Sequence, residues 1–270
     1  MTAAGSAAVR VTAAAASAVT DAAQGELARA GAPVDPAGPT GPTGIDVSLR
    51  PRWLIARFLV EHTTASWAIV GGGLGRARAV AWHQVRDAEL PPDVDPVALL
   101  RARLAAIGSA GAIGLLTTRR LDRHVDVTVR SGSVAARCIA TVGLGNALRA
   151  GDPPGPGRPG TINLLCRLDA PLSPEAQLEA LALAAEARAL AVREADIPST
   201  RTGRPASGTG TDCIVIAAPA PDLGSGAAAY AGKHTAIGHA IGAAVHEATR
   251  RGALDWRREH ARRSAEEGAR

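Results

Sequence analysis

Residues 198 to 219 read PSTRTGRPASGTGTDCIVIAAP, where Gly208, Thr209, Gly210 and Thr211 precede a single acid, Asp212, and a run of β-formers. Glycines let backbone N–H groups approach a ligand closely, and the threonine hydroxyls add donors and acceptors beside them. Asp212 stands at the start of a buried strand, and strand ends are where α/β-type sheets place their sites. The same composition also describes a loop capped by a turn-forming aspartate. Lys233-His234-Thr235 forms a second grouping, just ahead of an apolar-periodic segment. A helix starting there would offer N–H groups and a positive dipole end to an anionic or carbonyl oxygen. A helix-cap histidine accounts for the same residues.

Two glycine motifs invite a nucleotide and fail. In GGGLGR, Arg76 stands where the third glycine of G-x-G-x-x-G belongs. The plainer expectation is a tight strand-to-strand turn. In GAAAYAGKHT the gap between Gly226 and Gly232 is one residue too long for a phosphate loop, and His234 replaces the hydroxyl that would bind magnesium. No metal site is expected either. His239 and His246 would share a helix face about 10 Å apart along the axis, too far for one ion. His62, His83 and His124 fall in separate segments without a ligand spacing.

Composition narrows the classes further. The 270 residues are 46% hydrophobic but only 2% aromatic, so the core must be aliphatic and a base-stacking platform for single-stranded nucleic acid is not expected. The net charge of +5 carries little weight, because Lys233 is the only lysine among 30 basic residues and the arginines are scattered, clustering only after Asp255. No partnership with nucleic acid is expected. Cys138, Cys166 and Cys213 lie far apart in apolar stretches and read as buried, reduced thiols of a cytoplasmic protein. No apolar run reaches the roughly 20 residues a membrane helix needs, and no export signal is evident. The oligomeric state stays open.

Positioning such groups requires a sheet. Residues 1–44 are an Ala-, Gly-, Thr- and Pro-rich extension expected to be disordered. RWLIARFLV and SWAIV look like two strands. Asp95 and Pro96 start a helix with Leu100, Leu104 and Ile107 on one stripe and Gly108 at its end. Val125, Val127 and Val129 alternate with polar residues, residues 131–133 turn, and a second strand reaches Val142, which makes a hairpin. GTINLLCRL alternates too. Ser173 and Pro174 open a long helix with Leu178, Leu181, Ala185 and Val192 on one face, and DCIVIAAP reads as a central strand. The last core helix follows Lys233, with Ile237, Ile241, Val245 and Ala248 inward, and stops at Gly252; residues 253–270 read as a charged tail. The expectation is one α+β domain over 45–252, a mixed or mostly antiparallel sheet with helices mainly on one face.

Taken in order, TVGLGNALRAGDP (141–153), PGTINLL (159–165), DAPLSP (169–174), TGTD (209–212) and YAGKHTAIG (230–238) resemble the adenosylcobinamide amidohydrolase family, and GGGLGRARAV fits it as well. The resemblance spans about residues 50 to 250. It implies hydrolysis of the amide joining aminopropanol to the corrin propionate, giving adenosylcobyric acid for cobalamin salvage, with cobalt arriving in the corrinoid substrate and no other cofactor. The competing reading is a corrinoid-binding or carrier protein without turnover. For the hydrolase, chemistry calls for an activated nucleophile, a proton for the leaving amine and donors for the oxyanion. His234 suits acid/base work by its residue type. Asp212 can orient it or activate water, Thr211 or Thr209 can act as nucleophile, and Lys233 with nearby amides can hold the oxyanion. Gly143, Asn146, Thr161, Asn163, Thr209 and Gly210 are candidates to hold the corrinoid's amides, against turn and strand-cap chemistry for the same residues. Thr161 in GTIN also resembles the junction of enzymes that self-cleave before a threonine, which would give two fragments on a denaturing gel.

Overall fold

A computed structural model describes residues 44–157, 159–221 and 226–268; the expected N-terminal extension lies outside them except for Gly44. The main sheet has eight strands in the order β4–β3–β2–β10–β8–β6–β5, with β1 also paired to β2. The strands are β1 (Ile45–Arg50), β2 (Trp53–Ser66), β3 (Gly73–Gln84), β4 (Ile113–Thr117), β5 (Val125–Ser131), β6 (Val134–Val142), β8 (Ile162–Leu168) and β10 (Cys213–Pro219); short β7 (Ala147–Leu148) and β9 (Gly208–Thr209) pair apart. β3–β4 and β8–β10 are parallel and the other pairs antiparallel, a mixed sheet of the α+β kind.

β2 organises the sheet. Its register against β3 shifts between Arg57 and His62. The residues before the shift pair with β1 and those after it pair with β10. SWAIV is not a strand of its own. Ser66 ends β2 and residues 67–72 form the connection to β3, where a Cβ on Gly72 would lie 2.3 Å from the Ala68 carbonyl oxygen. Only glycine fits so close an approach.

Three helices supply most of the cover. In α1 (Pro96–Ala106) the Asp95 side chain caps the Val97 amide at 2.8 Å, and Leu100 and Leu104 press on the bare Cα of Gly114 in β4. α2 (Pro174–Glu194) is capped by Ser173 and buries a stripe of small residues, among them Ala180, Ala184, Ala187 and Ala191. Leu178, expected inward, is 53% exposed; close packing of α2 on its neighbours selects alanines for the buried face. α3 runs from Ala236 to Gly268 and buries Ile237, Ile241, Val245 and Ala248. It does not stop at Gly252, because that glycine serves packing. A Cβ there would lie 2.5 Å from Cγ2 of Val142 in β6. Beyond it, the buried guanidinium of Arg119 takes Asp255 at 2.7 Å and Glu259, so the charged helix end is tied to the segment after β4.

The opposite face closes on itself. Leu54, Trp82, Leu115, Leu165 and Val215 share one cluster, and Asn163 Nδ2 of β8 donates to the Leu116 carbonyl of β4 at 2.6 Å. Strands four places apart in the sheet order thus meet, and the curl leaves a hollow between them.

Candidate active site

A cavity of about 460 Å³ occupies that hollow. Its walls come from Leu115 to Thr118 at the end of β4, from Val85, Asp87 and Leu90 after β3, from Pro96 at the start of α1, and from Ile69 in the β2–β3 connection. The far wall is Asn146, Gly157, Pro159 to Thr161 and Asn163, with Thr211 and Cys213 beside it. The site therefore sits at the amino ends of the parallel strands β8 and β10.

Why these residues converge is a matter of backbone approach. A Cβ on Gly160, whose φ is +140°, would lie 2.6 Å from the amide nitrogen of Asn146. One on Gly210 would lie 2.8 Å from Nδ2 of the same asparagine. The Gly143 amide donates to the Thr161 carbonyl at 2.9 Å, extending the β6–β8 ladder, and the Gly210 amide donates to the Asn146 carbonyl at 3.3 Å. Glycines that read as ligand-cradling let the strand ends pack against one another.

Asp212 is 9% exposed and its carboxylate is filled from inside the protein. One oxygen accepts from the Ile162 amide at 3.0 Å and from the Thr209 hydroxyl. The other accepts from the Thr209 amide at 2.9 Å and from the guanidinium of Arg188 in α2. Burial lowers the pKa of Arg188 below the usual arginine value, yet a guanidinium stays protonated, so the contact is an ion pair. Thr209 belongs to this knot. Thr161, hydroxyl toward the Thr211 carbonyl at 2.8 Å and Oδ1 of Asn163 at 3.3 Å, is held beside it. The Thr211 hydroxyl donates to the Gly160 carbonyl at 3.2 Å.

Among the sequence candidates, Asn146, Thr161, Asn163 and Thr211 line the cavity together; Gly143, Thr209, Gly210 and Asp212 form the shell behind them. His234 and Lys233 lie elsewhere. Both are exposed, and Lys233 Nζ pairs with Glu186 of α2 at 2.5 Å. Gly252 packs on Val142 at the cavity end of the sheet, and the helix from Ala236 to Gly252 spans about 24 Å at 1.5 Å per residue. His234 precedes the other end.

Asn146 is distinctive. It is 4% exposed and lines the cavity beside Thr161 and Asn163. A carboxamide in such a wall offers an N–H donor and a carbonyl acceptor to a ligand. Reading the sequence alone missed Asp87, Thr117, Thr118 and Cys213 as lining residues, since their neighbours across the cavity are remote in the chain. Cys213 is no ready nucleophile, as burial pushes its thiol up to about 11 and the thiolate is the reactive form. Among the described residues, no three His, Cys, Asp or Glu side chains gather as a metal site would require, and no helix is long and apolar enough to cross a membrane.

Fold and site define an α+β domain with a largely apolar cavity into which Asn146, Asn163, Thr161 and Thr211 bring amides and hydroxyls. The chain belongs to the adenosylcobinamide amidohydrolase family (CbiZ), whose sequence model matches residues 39–261. No curated protein matches it. Among solved structures it is similar to the PH0078 protein from Pyrococcus horikoshii OT3, with 12% identity, TM-score 0.41 and coverage of 77% of this chain and 82% of that one. It is also similar to a Burkholderia sp. β-aminopeptidase, with 15% identity, TM-score 0.36 and coverage of 76% and 78%.

Proposed function

We propose that this chain hydrolyses the amide of adenosylcobinamide, releasing adenosylcobyric acid and aminopropanol for cobalamin salvage. The observation that carries the reading is the Asn146 carboxamide in the cavity wall, in a chain of the amidohydrolase family. A corrin macrocycle is too large for a cavity of about 460 Å³, but a single propionamide arm fits. The arm enters between the β4 end and the β8–β10 ends, and Asn146 Nδ2 donates to the amide oxygen as negative charge develops on it. Thr161 and Asn163 line the same wall beside it.

Water adds its oxygen to the carbonyl carbon, the carbon–nitrogen bond breaks, and the proton lost by water ends on the departing amine. The carboxylate that lines the cavity, Asp87, is the base for that transfer. Asp212 positions Thr161 and Thr211 through Ile162 and Thr209. Cobalt enters as part of the corrinoid.

The test is incubation of the metal-stripped protein with adenosylcobinamide and mass spectrometry for both products. Asn146→Ala and Asp87→Asn are expected to lower kcat by at least about a hundredfold, the scale of one lost oxyanion donor or acid/base group, while His234→Ala retains turnover. Unchanged adenosylcobinamide that still binds would replace the hydrolase with a corrinoid carrier. Loss of turnover in His234→Ala alone would move the chemistry to the start of α3.

A further inference from the structure

A substrate whose arm fills the cavity must leave its macrocycle outside, and the surface at the cavity mouth is already shaped for something apolar. The β2–β3 connection alternates, with Ala68 and Val70 buried while Trp67 is 44% and Ile69 39% exposed. Exposed indoles are unusual in a chain with 4 tryptophans, and the others are held differently: Trp53 and Trp82 are buried and Trp256 stacks on His260. Trp67 is not loose. Its Nε1–H donates to the Asp212 carbonyl, the residue between the cavity-lining Thr211 and Cys213. Ser66 Oγ accepts from the Ala68 amide at 3.0 Å, and Gly114 N donates to the Val70 carbonyl at 3.0 Å, so the connection is fastened on both sides of the ring. Ile69 continues from this rim into the cavity wall itself.

We infer that Trp67, with Ile69, is the platform on which the flat, largely apolar corrin macrocycle rests while one amide arm enters the cavity. The inference rests on the proposed hydrolysis. It makes Trp67 a specificity-determining residue that acts on binding rather than on the bond being broken. A rigid aromatic face held open to solvent contributes affinity at little entropic cost. Aimed at the macrocycle, it would let the enzyme discriminate a corrinoid from any other secondary amide.

The experiment compares wild type, Trp67→Ala, Trp67→Phe and the remote surface control Tyr230→Ala on two substrates. One is adenosylcobinamide; the other is N-(2-hydroxypropyl)propanamide, the arm without its macrocycle. Covering the exposed part of the indole predicts that Trp67→Ala raises KM and the equilibrium-dialysis Kd for adenosylcobinamide by about 10- to 50-fold. Turnover number should fall far less, and the loss should be confined to the macrocycle-bearing substrate. Trp67→Phe keeps a ring but loses the N–H donor, so it should recover most of the affinity and serves if the alanine variant fails to fold. Unchanged KM and Kd in Trp67→Ala, an equal loss on both substrates, or a changed oligomeric state with unaltered KM would overturn the platform. If wild type binds adenosylcobinamide but never turns it over, the hydrolysis reading fails while the Kd comparison still decides the platform. If wild type does not bind it at all, both fail.

Discussion

Removing the charge of Arg188 should destabilise the fold through a group it does not itself contain, the Asp212 carboxylate. The Arg188 side chain is 14% exposed and that of Asp212 5%. Breaking a buried pair by deleting one partner costs about 3–5 kcal/mol, because the remaining charge is left uncompensated. Here the carboxylate keeps three donors, the Ile162 amide and the amide and hydroxyl of Thr209, and Arg188→Met keeps the aliphatic stem. The expected cost is therefore about 2–4 kcal/mol. Asp212→Asn should cost a similar amount, since the amide NH₂ must face either the Ile162 N–H or, turned over, both the Thr209 N–H and the guanidinium. The double variant removes both charges, and its cost should fall short of the sum by about 2 kcal/mol, a coupling normal for contacting residues. Urea unfolding read by circular dichroism at pH 7.5 measures all four proteins, with little change in m. A single Arg188→Met variant within about 0.5 kcal/mol of wild type, or strictly additive effects, would refute the claim that this pair fastens β9 and β10 to α2.

Acidification should weaken the fold through His62, which is fully buried, donates from Nδ1 to the Val60 carbonyl at 2.9 Å and accepts at Nε2 from Arg167 Nε at 3.1 Å. Burial lowers its pKa from 6.5 to about 4, so the unfolded chain binds the proton more readily. Stability is then full above pH 6.5 and lost as pH falls toward 4, by about 2 kcal/mol between pH 6.5 and 5; unfolding midpoints against pH, with His62→Gln showing a shallower slope, check it. Cys213, with its thiol near 11, should resist iodoacetamide at pH 7.5 and react faster only as pH rises, and Cys213→Ser should keep turnover within about threefold; rapid alkylation at neutral pH would contradict this. Neutralising Asp255 and Glu259 together strands the buried Arg119 guanidinium and should cost about 2–4 kcal/mol, visible as a Tm lower by several degrees. Gly252→Ala should cost about 1–3 kcal/mol by overpacking against Val142, and Val142→Ala in the same chain should recover part of the loss.

Much of the fold was legible because it rests on local periodicity. The Val125–Val129 alternation, the Asp95-Pro96 and Ser173-Pro174 helix starts and the continuous β10 run each carry their signal within a few residues, and each element appears where that signal lies. Errors arose where a residue answers to a distant neighbour. Gly252 has the composition of a helix stop but is a contact with Val142, and Leu178 has the hydropathy of a core residue but faces solvent because α2 requires alanines at its buried surface.

The site divides in the same way. By itself the sequence determined the family, through an ordered set of short segments, and the residue types that end up in the cavity wall. Only the tertiary structure decided which of them meet. The curl that brings Leu116 to Asn163 is a sum of strand twists and a register shift in β2, and no local pattern encodes such a sum. It gathers Asn146, Thr161, Asn163 and Thr211 from three segments. It also assigns Asp212 to an internal ion pair and leaves His234 at the far end of a helix, because side-chain partners depend on where strands terminate in space rather than on their order in the chain.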